Sequence, residues 1–196
     1  MGKRIFDILF SIIGLLALFP FFVFVALLVV IDSEGGIFYI QKRIGKNGIA
    51  FNLFKFRTMS IGSDKEGLLT VGNKDARITK VGYYLRKYKI DELPQLINVL
   101  NGTMSFVGPR PEVAKYVALY TEEQREILKL KPGITDYASL EYFNENELLA
   151  LAENPEDAYV NDVLPAKIKL NKKYIANKSF ITDCTIILKT IFKIFR

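Results

Sequence analysis

The chain has no histidine, and among its 196 residues there is one cysteine, Cys184. Without histidine, acid–base catalysis by imidazole is excluded, and with one cysteine a structural zinc site is excluded too. A lone cysteine also rules out an internal disulfide framework and fits a reducing compartment. Any metal should therefore be a hard ion held by oxygen, with Mg²⁺ the first candidate. Basic residues are missing from one stretch. From Asp136 to Asp162 there are eight acidic residues and no Lys or Arg, so the remainder carries 27 basic against 13 acidic residues. A surface of that sign suits phosphate, whether of nucleic acid, anionic lipid or a phosphorylated substrate.

Charge is also missing from the N-terminal run IFDILFSIIGLLALFPFFVFVALLVVI, residues 5 to 31, which holds only Asp7. As a helix it would extend roughly 40 Å, enough for a hydrocarbon core of about 30 Å. It is too long for a signal peptide, and no small-x-small cleavage site follows it. Pro20 removes a backbone hydrogen bond in mid-run and discourages helix at Phe19. Both flanks are basic, with Lys3 and Arg4 before the run and Lys42, Arg43 and Lys46 after it, so the positive-inside rule does not separate the ends. The residues leave two topologies open, a plain span and a hairpin that bends at Phe19-Pro20 and leaves by the face it entered.

The remainder reads as a mainly helical α+β domain. An apolar strand near Ile37 to Gln41, a Gly-Lys-Asn-Gly turn and a strand from Ala50 to Met59 predict a hairpin. Alternation puts Lys55 and Arg57 on one face of the second strand, a cationic wall for phosphates, and Phe54 and Phe56 on the other. Residues 81 to 89 predict a short basic helix containing Arg86. DELPQLINVLNG predicts the next one, with Asp91 as its N-cap, Pro94 in its first turn and Gly102 after its end. In SFVGPRPE, Pro109 and Pro111 stiffen the chain on either side of Arg110. That arginine is expected at the N-terminus of a helix running through EVAKYVALYTEEQREIL, an anion site. KPGIT supplies a turn, and the acidic stretch is expected to be a solvated face, helical around Glu145 to Glu153. The last segment puts Phe180, Cys184, Ile187, Ile191 and Phe195 on one helical face and Lys189, Lys193 and Arg196 on the other, the pattern of a helix in a membrane interface. Packing against the domain is the alternative. The expected units are a membrane helix over 1–32, a catalytic domain over 33–178 and an amphipathic helix over 179–196.

Without histidine, a carboxylate can still attack phosphorus and form an acyl phosphate. Asp91 is the candidate nucleophile, with Mg²⁺ held by Glu92 and Asp91 and by substrate phosphates. Lys55, Arg57, Arg86 and Arg110 are the candidate phosphate clamps.

KRIFD, QKRIG, FKFRTM, DELPQLINVLNGTMSFVGPRP and KPGIT, in this order over residues 3 to about 135, resemble the small monotopic phosphoglycosyl transferases, the bacterial sugar transferase family. The resemblance implies a re-entrant N-terminal helix on the bacterial inner membrane and an active site on its cytoplasmic face. It implies that Asp91 takes a sugar phosphate from a nucleotide-sugar, usually a UDP-sugar, with release of nucleoside monophosphate. Polyprenyl phosphate then accepts the phosphosugar, starting glycan assembly that downstream glycosyltransferases continue. Glu92 matches the family's Mg²⁺ partner, and Lys55 and Arg110 its phosphate-binding residues. Two positions depart from the pattern: Phe19 stands where members often carry serine before the proline, and Asp136 where they often carry glycine. A membrane-anchored nucleic-acid-binding protein would also be basic, but no recognisable module interleaves aromatic and basic residues, so nucleic acid is not an expected partner. A non-catalytic membrane scaffold is the third class, and it would tolerate Asp91→Asn.

Overall fold

The computed structural model describes residues 2–63, 67, 69–72 and 75–195. Its first element is one long helix, α1 (Gly2–Asp32), with Pro20 inside it. The expected bend at Phe19-Pro20 is thus not a helix end. Proline removes one intrahelical bond at a cost of about 3 kcal/mol, and contacts at both ends of α1 hold the helix on either side of it. At the start, Lys3 Nζ donates to Val107 O at 2.9 Å and to Asp183 Oδ2 at 2.7 Å. Arg4 donates to Val99 O at 2.6 Å and Leu100 O at 2.8 Å, and Asp7 accepts from Ser105 Oγ and from the Phe106 N–H. At the far end, Asp32 accepts from the Val81 N–H at 2.9 Å. Between them a stripe of Asp7, Ser11, Val25 and Val29 is buried, while Leu16, Phe19, Leu27 and Ile31 are exposed. An apolar surface of that size on a helix long enough to cross a bilayer associates this protein with membrane.

The hairpin forms as expected from β1 (Phe38–Ile44) and β2 (Ala50–Phe56), paired antiparallel with Phe38 opposite Phe56 and Ile44 opposite Ala50. Asn47 and Gly48 take positive φ in the turn. The second strand stops at Phe56, three residues short of Met59. Beyond it Thr58 O lies where a Cβ on Gly82 would be, 2.1 Å away, so the chain has left the ladder to cross the next helix. That helix, α2 (Lys80–Lys87), is capped by Thr79 Oγ1. A left-handed Lys89 then turns the chain into a 3₁₀ turn over Ile90–Glu92, and α3 (Gln95–Asn101) begins only after Pro94. Asp91 is therefore not the cap expected of it. Gly102, at φ 88°, does end α3.

SFVGPRP and KPGIT, 26 residues apart, are two halves of one element. Strand β3 (Ser105–Val107) pairs in parallel with β4 (Gly133–Thr135). Just past the pairing, a Cβ on Gly133 would lie 2.1 Å from the Gly108 amide nitrogen. Only hydrogen fits there, which lets the Gly108 N–H reach Thr135 O and the Gly133 N–H reach Pro109 O, both at 3.1 Å.

The single helix expected after Pro111 is broken into α4 (Ala114–Val117), α5 (Glu122–Arg125) and a 3₁₀ turn over Glu126–Lys129. A capping box between Thr121 and Gln124 restarts the helix. The acidic stretch forms three short helices, α6 (Tyr137–Glu141), α7 (Glu145–Ala150) and α8 (Pro155–Ala158), followed by α9 (Leu164–Ala176). Their shared core is Tyr116, Leu149, Tyr159, Val163 and Ile168. The last helix, α10 (Phe180–Ile194), turns Asp183 and Ile186 inward against Val107 and Tyr174. Phe180, Ile191 and Phe195 of the expected face are exposed, with Cys184 and Ile187 half-buried beside them. Ile181, Leu188 and Phe192 widen the exposed apolar face to one side, because α10 packs on the domain and presents apolar surface at the same time. Lys193 turns to the domain and donates to Leu140 O, whereas Arg196 lies outside the described residues.

Candidate active site

Glu92 is the hub. In a 3₁₀ turn successive side chains point about 120° apart, so Asp91 and Glu92 leave the same turn in different directions. Glu92 Oε1 accepts from Lys55 Nζ at 2.9 Å, and Arg110 grips both carboxylate oxygens, Nη1 donating to Oε2 at 3.0 Å and Nη2 to Oε1. Lys55 arrives from β2 and Glu92 from the 3₁₀ turn, while Arg110 comes from the segment held by the Gly108–Gly133 contact. The Arg110 backbone N–H donates to Asp136 Oδ2 at 3.1 Å, and Asp136 Oδ1 caps α6 through the Ser139 N–H. Asp136, noted in the sequence only as a departure, is fully buried and orients Arg110. An Asp followed three residues on by Ser ahead of a helix is an N-cap pattern that could have marked it.

Asp91 is buried, and its Oδ1 has no hydrogen-bond partner among the described residues. Burial raises its pKa and Glu92 adds to the rise, against the pull of Lys55. Glu92 goes the other way. Burial would raise it, but Arg110 and Lys55 hold it well below the usual carboxylate range. Burial lowers the Lys55 pKa despite its ion pair, and Glu92 raises that of Arg110. One neighbour is thus a fixed anion locked between cations, while the other is a desolvated carboxylate with an unengaged oxygen.

The structure brings Asp91, Glu92, Lys55, Arg86 and Arg110 to a broad open cleft of about 1510 Å³. It takes Arg57 elsewhere. That guanidinium donates to Gly36 O, Ser33 Oγ, Ser33 O, Glu34 O and Val29 O, closing the C-terminal end of α1. Arg57 borders the cleft, but its donors are taken by backbone carbonyls and the Ser33 hydroxyl, so it acts as a helix cap. Phe19 is on the exposed face of α1.

Among the described residues no three His, Cys, Asp or Glu side chains gather into a metal cage. What is present suits Mg²⁺ nonetheless. A carboxylate offers about four lone-pair sites, of which Glu92 uses three, and Asp91 Oδ1 is unengaged. Mg²⁺ commonly takes one or two protein carboxylates, its remaining ligands being water and substrate phosphate.

The cleft therefore joins a carboxylate able to attack with cations able to hold phosphate. The family profile for bacterial sugar transferase matches residues 1–196. The exopolysaccharide production protein PSS of Rhizobium leguminosarum bv. phaseoli is 38% identical over 96% of this chain and 92% of its own. The exopolysaccharide production protein ExoY of Sinorhizobium fredii (strain NBRC 101917 / NGR234) is 35% identical over 97% of this chain and 84% of its own. The undecaprenyl-phosphate glucose phosphotransferase of Komagataeibacter xylinus is 38% identical over 97% of this chain, which corresponds to 35% of that longer protein. The chain belongs to the bacterial sugar transferase family, enzymes that move a sugar phosphate onto a polyprenyl phosphate.

Proposed function

We propose that this enzyme moves a sugar 1-phosphate from a UDP-sugar to polyprenyl phosphate in two displacements at one phosphorus, opening the assembly of a bacterial exopolysaccharide or related glycan. In the first, an Asp91 oxygen attacks the phosphorus that bears the sugar. The bond from that phosphorus to the oxygen of UMP breaks, and the bonding pair leaves with UMP. In the second, a phosphate oxygen of the polyprenyl phosphate attacks the same phosphorus, freeing the Asp91 carboxylate and leaving a polyprenyl-diphosphate-linked sugar. The observation that carries this reading is Asp91 Oδ1, buried and without a partner among the described residues, beside cations that Glu92 holds in place. Arg110 and Lys55 take up charge on the phosphoryl oxygens, and Arg86 adds positive potential at Asp91. Mg²⁺, held by Glu92 and Asp91, would supply charge neutralisation on the phosphates. No step calls for a proton relay, which fits a chain without histidine.

The docking of α1 supports a re-entrant helix, and the basic residues flanking it on both sides favour a cleft that faces the cytoplasm. The first residues of α1 and its last both bind the same globular body. A straight span would place those ends on opposite sides of the bilayer.

Asp91→Asn tests the chemistry. UMP release from the UDP-sugar should fall to background, because an amide cannot form the acyl phosphate. Turnover near that of the wild type would overturn the mechanism.

A further inference from the structure

A second polar cluster lines the cleft on the side of Arg110 where the acidic stretch lies. Glu112, two residues after Arg110, accepts from Arg43 Nη1 at 3.1 Å and from the Tyr159 hydroxyl. Arg43 also donates to Pro111 O at 3.1 Å, so this frame is fastened to the segment carrying Arg110. Lys167 Nζ donates to Glu145 Oε2 at 2.8 Å, with Tyr159 OH at 3.5 Å. The Lys167 and Glu145 side chains are 12% and 24% exposed, and both border the cleft. Glu145 also contributes to the field on Arg110, which sets the cluster close to the phosphate site. Ser139 borders the same space, and its Oγ is buried without a partner among the described residues.

We propose that Glu145 and Lys167, held by a frame of Arg43, Glu112 and the buried Tyr159, form the subsite that reads the hydroxyl groups of the transferred sugar. This rests on the donor reading above. Glu112 and Glu145 are each paired with a cation, Arg43 and Lys167, so the cluster carries no net charge and suits a neutral, hydrogen-bonding group rather than a second phosphate. Carboxylate and ammonium together accept and donate, as a polyol requires, and a sugar hydroxyl can enter the Glu145–Lys167 bond by replacing each partner for the other. The sugar is joined to the phosphorus that Asp91 attacks, so its subsite must adjoin Arg110, as this one does.

The test uses the full chain in nanodiscs with UDP-glucose, UDP-galactose and their N-acetyl counterparts, reading UMP release. Glu145→Gln should change the ratio of kcat/KM between the preferred donor and its C4 epimer, or its N-acetyl counterpart, by roughly tenfold or more. The KM for polyprenyl phosphate should stay as in the wild type. Tyr159→Phe, which removes only the hydroxyl, should alter the same ratio and keeps the test valid if Glu145→Gln does not fold. The exposed pair Glu123–Lys172 serves as control, and Glu123→Gln should leave the ratio unchanged. Equal losses on all donors, or no change in ratio, would overturn the subsite while leaving the transferase reading intact. No UMP release by the wild type from any of the donors would overturn the donor reading and the subsite with it.

Discussion

Asp91 and Glu92 share a peptide bond but not an environment, and their separation gives the site its pH dependence. As the proposed nucleophile Asp91 must be ionised, and burial and Glu92 raise its pKa. Activity should therefore be lost, as pH falls, above the ordinary carboxylate range. As a proposed phosphate ligand Lys55 must be protonated, and burial lowers its pKa, so the alkaline loss should begin below the ordinary lysine range. A profile of kcat/KM against pH reads both limbs in the free enzyme. Glu92→Gln removes the anion that raises both values, so both limbs should move to lower pH. A profile flat through both regions would contradict these assignments. Arg110 makes a different demand. It grips Glu92 with two nitrogens, and lysine keeps the charge but not the fork. Arg110→Ala should lower kcat roughly 100- to 1000-fold, and Arg110→Lys should recover little of it. Near-complete recovery by lysine would point to simple charge attraction.

At the scale of elements, the glycine contact between β3 and β4 decides whether Arg110 is presented at all. Gly133→Ala would put a Cβ 2.1 Å from the Gly108 amide nitrogen, with backbone on both sides and nothing flexible to yield. Overpacking of this kind costs about 1–3 kcal/mol, so a melting experiment should show a drop of several degrees together with reduced kcat. Gly2→Ala, whose Cβ would meet nothing within 4 Å, is the matched control. This contact also marks what the sequence could and could not reveal. The hairpin, the stop at Gly102 and an amphipathic last helix are local, and turn residues and periodicity made them legible. The pairing of SFV with GIT is a long-range contact between three-residue strands, and no local pattern announces it. Alternation along β2 points Arg57 to the phosphate wall, but Arg57 lies one residue past the end of the strand, where alternation no longer governs direction. The long helix after Pro111 overlooked Thr121 and Gln124, a restart signal that was in plain view. At the site, the segment DELP to GPRP disclosed Asp91, Glu92 and Arg110. Lys55 was readable from strand parity, whereas Asp136 and the Glu145–Lys167 pair needed the fold to bring them in.

For the whole molecule, topology is the open test. Single cysteines at position 2 and in the globular domain, in a Cys184→Ser background, can be probed on intact cells with a membrane-impermeant thiol reagent. Both positions should be protected until the cells are permeabilised. Labelling of position 2 in intact cells would establish a span and end the re-entrant account. The docking of α1 at both ends carries a mechanical meaning as well. Arg57 fastens the exit of the helix to the strand that bears Lys55, and Arg4 fastens its entry to the last turn of α3. Such a helix cannot swivel against the catalytic body to match a bilayer of different thickness. On the re-entrant reading proposed above it would work as a depth gauge, and the height at which Asp91 meets the phosphate of the lipid substrate would be set by how far the whole enzyme sinks.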